Sequence, residues 1–185
     1  ILTDSERTLV YDYLNNKHKA YTETTDNVGV VLWGQSNAVG LGLNATRPTR
    51  LVNPELADAR IWISSNNFDQ YNSTNDGGTN FGLDLSLLTC LAEYYKNAKV
   101  YCVKYAENGA PLASETGRQD FNVSNNEKYP VLRTRALELQ TALDVLGSNK
   151  IITILIQGER DAREIAGGEP DAYETNLNNI LDQFV

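Results

Sequence analysis

Three apolar runs rich in β-forming residues, 28–33, 98–106 and 150–156, each break off into a polar turn, and helical patterns lie between them. A chain that alternates strand and helix pairs its strands in parallel through right-handed crossovers. The expected fold is a three-layer α/β/α sandwich with a mainly parallel sheet. Parallel strands all point the same way, so the turns after Trp33, Ala106 and Ile156 are expected at one edge of that sheet. Helices cover both faces of such a sheet, which leaves this edge as the place where ligands and chemistry collect.

The connecting segments carry their own signals. Leu83, Leu87, Leu88, Leu91, Tyr94 and Tyr95 recur at three- and four-residue steps and predict a helix running to about Asn97. A second helix is expected over 131–146, built on Leu132, Ala136, Leu139, Leu143 and Leu146 and closed by Gly147. A third is expected over 171–185, with Tyr173, Leu177, Ile180, Leu181 and Phe184 on one face. Residues 60–64 read as a short extra strand, and 43–59, 66–80 and 114–130 as loops. Upstream, Leu9, Val10, Tyr13 and Leu14 predict a short helix over 5–14, followed by a polar connection over 15–27. The domain reading is therefore an N-terminal helix and connector, 1–27, and one α/β domain, 28–185. Cys90 and Cys102 both fall in apolar settings and are expected to be two buried thiols rather than a disulfide or metal pair.

Composition removes several classes of function. With 16 Lys and Arg against 24 Asp and Glu, the formal net charge is -8 and the pI about 4.7. No basic stripe exists to neutralise phosphates, so a nucleic-acid partner is not expected. No apolar stretch approaches the ~20 residues of a membrane span. No cluster of ligand residues marks a metal, and no cofactor motif is present. A neutral, sugar-like substrate suits the charge better. The lack of methionine and a start at Ile1 lead to the expectation that the chain is a piece of a longer polypeptide.

The turn after the first run reads Gly34-Gln35-Ser36-Asn37-Ala38 and places a serine where a strand ends. Such a polar triplet also fits a plain Ser/Asn turn that satisfies backbone groups. Two companions favour chemistry: Glu107-Asn108-Gly109-Ala110-Pro111 after the second run and Gln157-Gly158-Glu159-Arg160-Asp161 after the third. A hydroxyl, a glycine-bearing turn and a glutamine at one edge are the parts needed for acyl transfer: a nucleophile and N–H donors for the developing oxyanion.

These three segments, in this order, resemble the blocks of the SGNH hydrolases. The branch that they look like contains sialate O-acetylesterases and carbohydrate acetylxylan esterases. Gly34-Gln35-Ser36-Asn37-Ala38 is similar to the nucleophile block. Asn80-Phe81-Gly82-Leu83 with Asn108-Gly109-Ala110-Pro111-Leu112 is similar to the second block, and Gln157-Gly158-Glu159-Arg160-Asp161-Ala162 to the Gln-Gly-Glu block. Ala38 stands where the α/β-hydrolase elbow has its second glycine, which separates the two superfamilies. The resemblance implies an SGNH/flavodoxin-like fold and a serine esterase that removes acetyl groups from a carbohydrate.

Carried over residue by residue, it makes Ser36 the nucleophile. The Ser36 N–H, the Gly109 N–H and the Gln157 amide become the oxyanion hole, and Glu159 orders the site. For Glu159, capping of the turn is an equal expectation, and Asp161 is expected to cap a loop rather than to serve as the triad acid. Asn108 and Arg160 depart from the residues usual at those positions.

The same resemblance implies an Asp-x-x-His block, and no histidine follows Asp161. His18 is the only histidine and lies in a polar, lysine-flanked stretch that predicts a solvated residue. Three accounts compete: the Asp and His lie beyond Val185, with the last strand and helix of the domain; His18 reaches the site; or the domain has lost catalysis. The last makes it a glycan-binding or structural module of a larger secreted or virion protein. Retention of Ser36, Gly109 and Gln157 together speaks for the enzyme.

Overall fold

In the computed structural model the described residues are Thr3, Thr8, 27–40, 42–43, 61–64, 68–70, 80–114, 119–147, 149–158, 161–162 and 172–183. The helix expected over 5–14, apart from Thr8, and the connector over 15–26 lie outside them. So do most of the loop 43–59, His18, Glu159, Arg160 and Phe184.

Seven strands are described: β1 (Asn27–Gly34), β2 (Gly42–Leu43), β3 (Ile61–Ser64), β4 (Phe68–Gln70), β5 (Asn80–Phe81), β6 (Val100–Ala106) and β7 (Asn149–Ile156). The main sheet has the order β4-β3-β6-β1-β7. β3, β6, β1 and β7 are parallel, and β4 adds an antiparallel edge. The helices are α1 (Ser36–Val39), α2 (Leu83–Tyr94), α3 (Tyr129–Val145) and α4 (Tyr173–Leu181). The parallel α/β sandwich expected from the alternation is thus the observed fold.

Alternate residues of a strand point to opposite faces, and β1 divides its side chains accordingly. Val28, Val30 and Leu32 join Val100, Cys102 and Ile63 in a core under Leu85, Leu88 and Ala92 of α2. Val31 and Trp33 join Tyr101 and Val103 in a second core under Leu132, Leu139 and Leu143 of α3 and Ile180 of α4. A strand covered on both faces needs a continuous apolar run, and this is why β1 reads as one.

Some expectations need correction. The segment 66–80 is not wholly loop: it contains β4 and the start of β5, which pairs antiparallel with β2 through Gly42↔Phe81 and Leu43↔Asn80. Polar composition hid these short pairings, since two- and three-residue strands have no periodicity to read. Cys90 is exposed, while Cys102 is buried. The core-facing positions of α2 are Leu85, Leu88, Thr89 and Ala92, and Cys90 lies two residues, about 200°, past Leu88. Leu146 and Leu181 are exposed as well, each at the very end of its helix or just past it.

Asp84, buried in the first turn of α2, meets Lys104 Nζ of β6 at 2.9 Å. This ion pair ties the helix to the sheet on the first face.

The end of β1 is the tightest point of the fold. Gly34 has φ of +138°, and a Cβ there would lie 2.0 Å from the Ile156 carbonyl oxygen. Ile156 is backbone at this contact and cannot swing aside. Gly34→Ala is therefore expected to lower unfolding free energy by about 3 kcal/mol or more, combining overpacking with a strained φ. Urea titration of the two proteins checks this, and a loss below about 1 kcal/mol would show that the turns part easily.

Candidate active site

The register of the sheet sets the three turns side by side. Gly34, the last residue of β1, pairs with Ala106 at the end of β6 and with Ile156 at the end of β7. Chain leaving β1 enters α1, which touches α2 on the first face, whereas chain leaving β6 enters α3 on the opposite face. Connections that part to opposite sides open a crevice outside the strand ends, where ligands bind in open α/β sheets. Ser36 sits there, half-buried, at the start of α1.

Hydrogen bonds then join the turns in a closed ring. Gln35 N–H of the first turn donates to Ile156 O, 3.0 Å, at the root of the third. Glu107 N–H of the second turn donates to Gly34 O of the first, also 3.0 Å. Between third and second, Gln157 Nε2 donates to Ala110 O at 2.8 Å. Asp161, only 2% exposed, accepts from Leu112 N–H at 2.9 and 3.1 Å and from Ala113 N–H at 3.0 Å. It also accepts from Gln157 Nε2 at 3.0 Å.

Ser36 and Gly109 each lie two residues beyond the Glu107–Gly34 bond. Gly109 has φ of +69°, a left-handed conformation that a side chain disfavours. Among the described residues, neither the Ser36 hydroxyl, nor the Ser36 N–H, nor the Gly109 N–H makes a hydrogen bond. Among the described residues, a hydroxyl and two N–H groups in the turns after β1 and β6 therefore remain unengaged at this edge of the sheet. Gln35, by contrast, is buried, and its carbonyl accepts from Ala38 and Val39, which locks the first turn of α1.

Gln157 is brought to the same place with a particular orientation. Its Nε2 faces two acceptors, Ala110 O and Asp161 Oδ2, and that choice is dictated, since the carbonyl end would be repelled by both. Its Oε1 is buried and has no partner among the described residues. Both amide hydrogens thus serve the protein itself in this arrangement. Asp161 caps the backbone of 112–113, as expected of it, in a position that composition alone could not locate. A recess of about 340 Å³ opens beside this pair, lined by Gln157, Gly158, Asp161, Ala162 and Tyr173.

No family model and no curated protein matches the sequence. Among solved structures, the chain is similar to an Arabidopsis thaliana protein, AT4G34215, with TM-score 0.60 and 17% identity over 86% of this chain and 68% of that one. It is similar to NanS with TM-score 0.55 and 15% identity over 86% of this chain and 61% of that one. The fold is of the SGNH/flavodoxin type. At these identities the likeness concerns architecture, and the chemistry has to be argued from the residues.

Within this frame, the block that begins Asn80-Phe81-Gly82-Leu83 backs the turn after β1 through β5. A Cβ on Gly82 would come within 3.1 Å of Gly40 Cα, so the backbone just past α1 leans directly on this block. On the far side, Trp33 and Tyr105 pack edge-on against Phe121, at centroid distances of 5.3 and 6.1 Å. Phe121 N–H donates to Pro111 O, which steadies the chain after Gly109. Lys128 bonds Glu107 at 3.0 Å and lies over Tyr105. Burial works against its charge, but Glu107 and Tyr105 outweigh that and hold its pKa above the ordinary lysine value.

Cys102 is not a candidate nucleophile. Burial, reinforced by the Asp84 carboxylate, pushes its thiol far above the usual range, so the reactive thiolate is absent at neutral pH. Under native conditions iodoacetamide is expected to alkylate Cys90 alone, with Cys102 modified only after denaturation. Peptide mass spectrometry reads this directly, and rapid native labelling of Cys102 would contradict the buried third position of β6.

Proposed function

We propose that this protein is a serine esterase that removes O-acetyl groups from a carbohydrate through an acyl-enzyme on Ser36. The observation that carries the reading is the unengaged trio of the Ser36 hydroxyl, Ser36 N–H and Gly109 N–H at the carboxyl edge of a parallel sheet. A structural neighbour, NanS, is a sialate O-acetylesterase, which supports ester hydrolysis in coarse terms.

In this mechanism Ser36 Oγ forms a bond to the acetyl carbonyl carbon while the π pair moves onto the carbonyl oxygen. The oxyanion is held by the Ser36 and Gly109 N–H groups, which are placed before reaction and cost no reorganisation during it. Collapse expels the sugar oxygen, which takes up a proton. Water then adds to the acyl-enzyme, and acetate leaves with Ser36 restored. The Ser36 proton needs a general base, and the described residues do not supply one. Gln157 enters as the tie that holds the Gly109 turn, and direct donation to the oxyanion would require it to give up one of its two bonds. Glu159 is assigned to ordering of the site.

A second reading has one observation behind it: His18 is the only histidine in the sequence. On that reading the domain binds a glycan without cleaving it and serves a larger secreted or virion protein.

Acetate release from acetylated sugars and aryl acetates separates the two. The natural full-length protein is expected to turn over, and Ser36→Ala to lower kcat by at least about a thousandfold with the fold intact. His18→Ala then tells whether His18 is the base. A folded protein that binds acetylated glycans yet releases no acetate would establish the binding module instead.

A further inference from the structure

We infer that Asp161 is a positioning residue of the oxyanion-binding turn, acting through Gln157 and the backbone of 110–113. This rests on the esterase reading of the same site. The segment after Gly109 is gripped from both of its polar sides by one pair of side chains. Gln157 takes the carbonyl of Ala110, Asp161 takes the N–H groups of Leu112 and Ala113, and the two side chains bond each other. A glycine at φ of +69° has the widest choice of alternative conformations of any residue, so something outside it must select this one. On the near side the turn is held by Glu107 N–H on Gly34 O. On the far side the Gln157–Asp161 pair holds it, with Phe121 N–H on Pro111 O as a further backbone tie.

The choice of a carboxylate has a physical reason. Asp161 must accept from three N–H sources at once: Leu112, Ala113 and the Gln157 amide. An ionised carboxylate is an acceptor at both oxygens, and charge-assisted bonds to N–H are about twice as strong as neutral ones. An asparagine has one acceptor oxygen and an NH₂ that would face at least one of those donors. Asp161→Asn therefore keeps size and shape but breaks the grip. Burying a carboxylate is costly, and those N–H bonds offset that cost.

The functional consequence follows from where the turn acts. An oxyanion donor works only in the transition state, so a misaimed Gly109 N–H lowers kcat and leaves ground-state binding largely alone. Displacements of about 1 Å cost up to about 10²-fold. Asp161→Asn is expected to lower kcat about 10- to 100-fold while KM changes less than about threefold. Gln157→Ala is expected to act through the same grip. The double variant should then be little worse than the poorer single one, because pair members are non-additive.

The decisive experiment is this double-mutant cycle on acetyl ester hydrolysis by the natural full-length protein, with amide hydrogen exchange at Leu112 and Ala113 on the same samples. Support requires a kcat-selective loss, non-additivity, and faster exchange at both amides in Asp161→Asn. Fully additive losses would mean that Gln157 works directly on substrate, which overturns the inference while the esterase stands. An unchanged kcat in Asp161→Asn overturns it in the same way. If wild type and Ser36→Ala are equally inert, the esterase reading itself fails and takes the positioning role with it, leaving the exchange data to describe a purely structural tie.

Discussion

The ring of hydrogen bonds around the end of β1 is the constraint on which the rest depends. Three turns leave three neighbouring strands, and each is bonded to the other two: Gln35 to Ile156, Glu107 to Gly34, and Gln157 with Asp161 to 110–113. No one of these bonds is worth much alone, about 1 kcal/mol net for a neutral pair. Closed into a ring, they make displacement of any turn break contacts with both others. Placing a hydroxyl and N–H donors within a few tenths of an ångström calls for that kind of cross-bracing.

What permits the ring is the burial of β1 on both faces. Val28, Val30 and Leu32 are held from one side, and Val31 and Trp33 from the other. The strand cannot slide without pulling apolar side chains from two cores, so its last residue is a fixed reference for its neighbours. Gly34 then lets the backbone pass within contact of Ile156 where no other residue fits. The aromatic group of Trp33, Tyr105 and Phe121 continues this rigidity beneath the second turn.

The buried acids divide into two kinds of work. Asp84 is matched by the Lys104 ammonium and fastens α2 to the sheet. Asp161 is matched by backbone and amide N–H groups and fastens one turn to another. Both satisfy the demand that a buried carboxylate be hydrogen-bonded.

By itself the sequence determined the alternation of apolar strands and helices, hence a parallel sheet, and hence that the turns after Gly34, Ala106 and Ile156 leave it at one edge. Periodicity carries that information because each side chain's face is set by its own position in the repeat. It determined the ends of β1, β6 and β7 closely, for each apolar run stops at a glycine or polar turn. Only the tertiary structure decided matters of pairing: that β2 meets β5, that Cys90 turns outward while Cys102 turns in, and that the Gln157 amide is aimed at Ala110 and Asp161. Such outcomes depend on which backbone atoms from distant segments arrive side by side, and residue type and spacing do not encode that. Asp161 shows the difference most clearly. Its capping role was legible, but the turn that it caps lies 48 and 49 residues earlier in the chain.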